Sequence, residues 1–154
     1  MDASEVEAQV EGFIARFEDG VAAQIRAARL IMQARLPGAL ELIYDNYNAL
    51  AIGYGPTERQ ADIIFSIAAY PRWISLFFAG GARLDDPHRV LKGEGSRIRH
   101  IVLDRPERLS DPDVLALMDQ ALHLARTPLD PSRPGRSIIK SVSARQRPRR
   151  PFGI

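Results

Sequence analysis

The stretch YNALAIGYGPTERQADIIFSIAAYPRWISLFFAGG, residues 47–81, decides the fold class of this chain. Apolar and small residues there follow a period of two in three runs, at residues 47–54, 61–69 and 73–79, and a fourth run spans residues 97–103. Glycine and proline turns separate the first three runs by short connections. Short connections favour antiparallel neighbours, so the runs predict strands of an antiparallel meander.

Two helices are predicted before this region. A capping box at Ser4 and Glu7, followed by apolar residues at helical spacing, predicts a first helix over about residues 4–18. Asp-Gly then breaks it, and a second apolar stripe predicts a helix over residues 21–36 that stops before a proline, because the residue preceding proline avoids the α region. Residues 39–44 are predicted to add one or two short turns.

A last helix is predicted to close the domain. Ser110 or Asp111 caps it, Pro112 lies in its first turn, and apolar residues follow at helical spacing until Thr127-Pro128. The order of elements predicts an α+β domain over residues 1–127, with the N-terminal helices and the C-terminal helix on one face of the sheet.

The composition is that of one intracellular globular domain. The chain has 154 residues, enough for a self-sufficient core, and it has no cysteine, which excludes disulfides, thiolate nucleophiles and thiolate metal sites. It begins Met-Asp-Ala-Ser-Glu without the basic region of a secretory signal, and no apolar run reaches the roughly 18 residues of a membrane helix. We therefore expect a cytoplasmic protein with no membrane partner.

Positive charge is concentrated at the C-terminal end. Residues 127–154 carry seven Lys or Arg and one Asp, whereas the preceding residues carry fourteen Lys or Arg and eighteen Asp or Glu. Residues 128–154 also hold five prolines, so a mostly disordered tail is predicted, with a possible short strand at residues 137–142. The tail would be solubilising, or would bind nucleic acid or another acidic partner through Arg145, Arg147, Arg149 and Arg150.

The two faces of the sheet differ in residue size. Alternate residues of the strands form a bulky face that should receive the helices: Leu50, Ile52, Tyr54, Ile63, Phe65, Ile67, Ile74, Leu76 and Phe78. The opposite parity has mostly small residues and two aromatic rings, including Ser66, Trp73, Ser75 and Phe77. We expect this open face to be covered by the tail or a second subunit, to be ordinary exposed sheet, or to form a ligand or partner groove.

Several segments, in their order, resemble the YdhG-like family of small bacterial domains of unknown function. They lie within residues 21–126 and are Ala28-Arg-Leu-Ile-Met32, Leu36-Pro-Gly-Ala-Leu-Glu-Leu-Ile-Tyr44, Trp73-Ile-Ser-Leu-Phe-Phe78, Leu84-Asp-Asp-Pro87 and Leu91-Lys-Gly-Glu-Gly-Ser-Arg-Ile-Arg-His-Ile-Val-Leu103. The resemblance implies a curved antiparallel sheet of four to five strands with flanking helices. For some members it also implies a frataxin-like role in iron handling. This chain departs from the family pattern at Ser96, where many relatives have lysine.

The densest polar cluster of the folded part precedes the fourth strand. Glycine N–H groups and guanidinium groups there would bind a phosphate or carboxylate, through Lys92, Gly93, Gly95, Arg97, Arg99 and His100, with Arg83, His88 and Arg89 upstream. The spacing is not that of a P-loop, and the glycines precede a strand where a dinucleotide fingerprint has them opening a helix. The alternative is a glycine turn with solvated arginines and a structural histidine.

A ridge of carboxylates lies on the first helix. Glu7, Glu11 and Glu18 are spaced by four and seven residues, and such a ridge would hold a hard cation such as iron through oxygen ligands, as the frataxin analogy implies. The alternative is a solvated helix face with favourable acids near its N-terminus.

No spacing in the sequence identifies a nucleophile, a base and an orienting group together. We therefore expect a non-enzymatic binding or accessory module without a cofactor, acting with an unidentified protein partner or as a homo-oligomer. The alternatives are an iron-binding or iron-chaperone domain, and binding of nucleic acid or an acidic partner through the tail. An enzyme acting on a small anion through Arg97, Arg99 and His100 ranks last.

Overall fold

The structure, a computed structural model, describes residues 1–151. In this range it has three α-helices, α1 (Ala3–Ile14), α2 (Asp19–Arg35) and α3 (Pro112–Leu124), and three short 3-10 turns, Gln60–Asp62, Gly81–Arg83 and Pro106–Ser110. Six strands form one sheet: β1 (Leu40–Asp45), β2 (Leu50–Gly55), β3 (Phe65–Ala69), β4 (Ile74–Phe78), β5 (Arg99–Leu103) and β6 (Ser137–Val142). No helix within these residues is both long and apolar enough to cross a membrane.

The sheet is mixed, in the order β5-β4-β3-β2-β1-β6. Strands β1 to β5 form an antiparallel meander, and β6 pairs with β1 in parallel. The α+β class is confirmed, but the four to five antiparallel strands are corrected to six in a mixed sheet. Turns were predicted where β1 lies. The core-facing positions of β1 are charged, apolar and charged in turn, at Glu41, Ile43 and Asp45. That pattern does not resemble a buried strand.

Both N-terminal helices begin at residues other than those predicted. Asp2 caps α1, its carboxylate accepting from the backbone N–H of Glu5 at 2.8 Å and from the Ser4 hydroxyl at 3.0 Å. These hydrogen bonds lower the pKa of Asp2, the one from the Glu5 backbone more than the one from the Ser4 hydroxyl. Helix α1 ends at Ile14. Asp19, which was predicted to break the first helix, is instead the first residue of α2. Asp111 precedes α3, with Pro112 at its first position, as predicted.

The bulky face of the sheet forms the core with the three helices. Eight of its nine predicted members are almost completely buried. The exception is Ile63, which lies on the opposite face, while Ile64 joins the core at 8% exposure. The parity changes because the 3-10 turn Gln60–Asp62 brings the chain to β3, so strand alternation begins only at Phe65.

The small residues of the open face make room for the chain itself. A Cβ placed on Gly53 would lie 2.6 Å from Cδ1 of Ile63, so the β2–β3 connection packs directly on the β2 backbone. The connection itself covers this part of the face. Further along, Trp73 is 43% exposed and stacks on Tyr70 at 4.8 Å between ring centroids.

The predicted strand at residues 137–142 is present as β6. Beyond it the chain continues along the domain, because the backbone N–H of Arg147 donates to the Tyr47 carbonyl at 2.9 Å, and Arg149 is only 3% exposed. The sequence indicated a mostly disordered tail, whereas the structure packs residues 137–150 against β1 and the turn after it. Composition does not reveal this packing, since it depends on the buried carboxylate of Asp45, which is distant in the sequence.

Candidate ligand-binding cavity

A cavity of about 650 Å³ opens at the end of the sheet where β3 begins and β4 ends. Its walls come from the β2–β3 connection, the 3-10 turn after β4, the loop before β5 and the C-terminal end of α3. Cavities of this size hold small organic molecules. Much of the lining is apolar, with Ile63, Ile64, Ala79, Leu84, Ala121 and Leu124 among the contributing residues.

Four arginines from four separate segments surround this cavity. Arg59 comes from the β2–β3 connection, Arg83 from the 3-10 turn, Arg97 from the loop before β5, and Arg126 from the residues after α3. All four are exposed. Within residues 1–151, none of them forms an ion pair with a carboxylate. Their positive charge is therefore available to a ligand.

The end of α3 and a glycine help to position Arg83. Its Nη2 atom donates to the carbonyl of Leu124 at 3.4 Å, and a cation is stabilised there because the C-terminal end of a helix carries partial negative charge. The guanidinium lies against Gly80, where a Cβ would be 3.3 Å from Nη2. The acidic residue of the lining is Asp62, whose carboxylate accepts from the Thr57 hydroxyl at 2.6 Å.

Of the residues named for the predicted anion cluster, the structure brings Arg97 and the upstream Arg83 to the cavity, together with Ser96. Lys92 and His100 exchange backbone hydrogen bonds of 2.8 and 2.9 Å at the sheet edge, and the imidazole of His100 stacks on Phe77 at 5.1 Å on the open face. The guanidinium of Arg99 donates to two local carbonyls, those of Gly95 at 2.6 Å and Ile98 at 2.8 Å. Gly93 adopts φ 121° and shapes the turn.

Sequence reasoning missed two arginines of the cavity. Arg59 lies in a turn and Arg126 follows a helix, and they are separated by more than sixty residues in the sequence. No local pattern indicates that they share a cavity with Arg83 and Arg97. The nearest sequence signal is that each arginine lies at the end of an element or in a connection, where ligand-binding residues concentrate.

The carboxylates predicted to bind a metal have guanidinium partners or lie apart. Glu7 accepts two bonds from Arg29, at 2.8 and 3.1 Å, and Glu11 accepts from Arg26 at 2.9 Å. Glu18 is the exposed residue before α2. Within residues 1–151, no three histidine or carboxylate side chains converge as a metal site would require.

The basic residues of the tail are not gathered into one free patch. The Nη2 atom of Arg149 donates to Asp45 at 2.9 Å, and both side chains are 1% exposed. The guanidinium of Arg147 lies over the Tyr47 ring at 5.5 Å, and Arg150 donates to a backbone carbonyl of the first interhelical turn at 3.2 Å. Arg145 is exposed.

The open sheet face places its predicted residues in different environments. Ser75 is 2% exposed and Ser66 is half-buried, so neither serine is fully exposed on this face. Phe77 and Trp73 are each covered on one side, by His100 and Tyr70 respectively.

A buried polar network between α2, β1 and β2 holds β6 to the domain. The carboxylate of Glu41 accepts from Arg29 at 2.9 and 3.3 Å, from Tyr54 at 2.6 Å, from Gln33 at 2.9 Å and from Ser137 at 2.7 Å. Burial by itself raises the pKa of Glu41, but the hydrogen bonds and charge of Arg29, followed by the hydroxyl donors, outweigh it and lower this pKa. Burial raises the pKa of Tyr54 well above its usual value, and the Glu41 carboxylate adds to this.

This network predicts a loss of stability in acid. Because the pKa of Glu41 is lower in the folded protein than its ordinary value of 4.5, the ionised carboxylate contributes stability above that pH. The contribution fades as the pH falls through the lowered pKa. Urea unfolding of the wild-type protein and of Glu41→Gln should show a gap in unfolding free energy near neutrality that narrows below about pH 4.5.

Glu11→Gln is the matched control for the acid dependence. Its carboxylate pairs with Arg26 in an exposed position, so the variant is expected to follow the wild-type curve at every pH. A gap between the wild-type protein and Glu41→Gln that stays constant with pH would contradict the role given to Glu41.

Comparison with known proteins adds no family to this geometry: no family model, no curated protein and no solved structure matches the chain.

Proposed function

We propose that this protein is a binding module that takes a small anionic ligand in the cavity between α3 and the β2–β3 connection. The observation that carries the proposal is the convergence of Arg59, Arg83, Arg97 and Arg126 on this one cavity, without carboxylate partners among residues 1–151. Guanidinium groups present planar pairs of N–H donors that match the oxygens of a carboxylate or phosphate.

The chemistry of the lining favours binding over catalysis. Its acidic residue, Asp62, already accepts a hydrogen bond from Thr57, and its other oxygen-bearing side chains are the hydroxyls of Ser96 and Thr127. The three histidines of the chain are not part of the lining. An arrangement of cations around an apolar cavity holds and orients an anion, whereas proton transfer would need a positioned acid or base.

Titration with inorganic phosphate tests the proposal. Sodium phosphate, added at constant ionic strength, should shift the backbone amide resonances of Gly80, Ser96, Arg97 and Thr127 in ¹H–¹⁵N spectra and reach saturation. The variant Arg83→Gln/Arg97→Gln should bind at least about tenfold more weakly, since each lost guanidinium removes a charge-assisted hydrogen bond.

Arg133→Gln/Arg145→Gln is the matched control, because it removes the same charge from two exposed arginines outside the cavity. It is expected to leave the phosphate affinity within about twofold of the wild type, the change expected from altered long-range attraction alone. Equal weakening in both double variants, or shifts spread evenly over the surface, would reject a localised anion site.

Other hypotheses have weaker support from the structure. Membership of the YdhG-like family rests on the quoted segments. Iron binding on α1 would require Glu7 and Glu11 to exchange their arginine partners for the metal. Nucleic-acid binding through the tail could not use Arg149, since its side chain is buried against Asp45.

A further inference from the structure

The cavity has two chemically different surfaces. Four exposed arginines line it, together with apolar side chains from the β2–β3 connection, the segment after β4 and α3. Ile64 and Ala121 are buried, at 8% and 9% exposure, and Ile63, Ala79 and Leu84 are half-buried. Apolar walls beside exposed cationic side chains would fit a molecule that is itself divided into an apolar part and a charged part.

An inorganic anion uses only one of these surfaces. It would contact the arginines and leave the apolar walls in contact with water, although removing apolar surface from water is favourable. A ligand with a hydrocarbon body would displace that water, and each buried methylene raises affinity roughly fourfold. The cavity volume of about 650 Å³ is also far larger than a single phosphate needs. A water molecule, with one heavy atom, occupies roughly 30 Å³ in the liquid, and a phosphate has only five heavy atoms.

We infer that the ligand is an amphipathic organic anion, with one phosphate or carboxylate group on an apolar body of several carbons, taken free from solution. Its head group lies among Arg59, Arg83, Arg97 and Arg126, and its body lies along Leu84, Leu124 and Ala125. The inference rests on the proposed anion binding and adds the chemical class of the ligand.

A series of alkyl phosphates tests this class. Methyl, butyl and hexyl phosphate are titrated at constant ionic strength beside inorganic phosphate and 1-hexanol, with amide resonances of the cavity as the readout. Affinity should rise with chain length, and hexyl phosphate should bind at least about thirtyfold more tightly than inorganic phosphate. 1-Hexanol should bind more weakly than hexyl phosphate, because it has no charge for the arginines.

Two variants locate the hydrocarbon part. Ala125→Trp fills the cavity from the half-buried end of α3 and should weaken hexyl phosphate at least about tenfold, a larger factor than for inorganic phosphate. Ala116→Trp, on an exposed position of the same helix, is the matched control. Leu124→Gln is a second variant with little risk to folding, because Leu124 is 44% exposed; it should weaken hexyl phosphate severalfold.

The outcomes separate this inference from the proposed function. Equal affinity for inorganic and hexyl phosphate would overturn the inference of an amphipathic ligand but would not contradict the proposed anion site. Equal affinity for 1-hexanol and hexyl phosphate, or no saturable binding of any probe, would overturn both. Vesicles containing phosphatidic acid, tested by co-sedimentation, distinguish a membrane source: capture by vesicles with no response to hexyl phosphate would overturn the free ligand.

Discussion

Replacing Glu41 with alanine is expected to lower the free energy of unfolding by about 3–5 kcal/mol. The change leaves the guanidinium of Arg29, a residue only 4% exposed, without its buried partner, although Glu7 still pairs with it from the surface. It also removes the acceptor of the Tyr54 hydroxyl, which is buried, and of Ser137. Urea unfolding followed by circular dichroism measures the effect.

Two comparisons give this result its meaning. Glu11→Ala removes an exposed partner of Arg26 and should cost less than about 1 kcal/mol. Arg29→Met/Glu41→Leu removes both buried charges and should cost less than Glu41→Ala alone, because no uncompensated guanidinium remains. If Glu11→Ala and Glu41→Ala were equally destabilising, burial of the network would not be the source of its importance.

Replacing Arg149 with methionine is expected to destabilise the protein by about 3 kcal/mol and to release the C-terminal segment. Asp45, at 1% exposure, would keep only Arg16, at 3.3 Å and largely solvated, and the amide of Gln146 at 2.9 Å. A buried anionic carboxylate that loses part of its countercharge destabilises the folded protein, and the uncharged side chain of methionine does not replace the lost charge.

Limited trypsin digestion followed by mass spectrometry measures the release. Cleavage after Arg145 should be slow in the wild-type protein and at least about tenfold faster in Arg149→Met, because proteolysis follows the population of the opened segment. Arg133→Met, at an exposed position between α3 and β6, should leave the rate of that cleavage unchanged. Equal rates in the wild type and Arg149→Met would show that the buried pair does not hold the tail.

Both of these networks fasten β6 and the residues after it to β1. Without them, the unpaired N–H and C=O groups of β1 would form an exposed sheet edge, which invites pairing with other chains. Ser137 contacts Glu41 near the start of β6, and Arg149 contacts Asp45 beyond its end, so the two ends of the segment are held by carboxylates of the same strand.

Much of the fold was predictable because its signals are local. The parity of β2, β3 and β4 correctly identified the bulky core face, since strand alternation is a property of consecutive residues. The error at Ile63 arose because a 3-10 turn interrupts that alternation. Strand β1 was missed because Glu41 and Asp45 occupy core positions and find their charged partners on α2 and in the tail.

The candidate site was predictable only in part, for the same reason. Arg97 was identified because it lies in a conspicuous glycine-rich loop, and Arg83 was named upstream of it, but Lys92, Gly93, Gly95, Arg99 and His100 are not part of the lining. Arg59 and Arg126 have no local signal, since only the return of the β2–β3 connection across Gly53 and the placement of α3 bring them together.

The sequence by itself determined the α+β class, the meander from β2 to β5, the core face of its strands and the position of the last helix, because periodicity and turn residues act over a few neighbours. The tertiary structure alone decided the parallel edge strand, the burial of the basic tail and the four-arginine cavity. Each of these depends on charges and surfaces that are distant along the chain, and their interaction energies exist only once the sheet has brought them within a few ångströms.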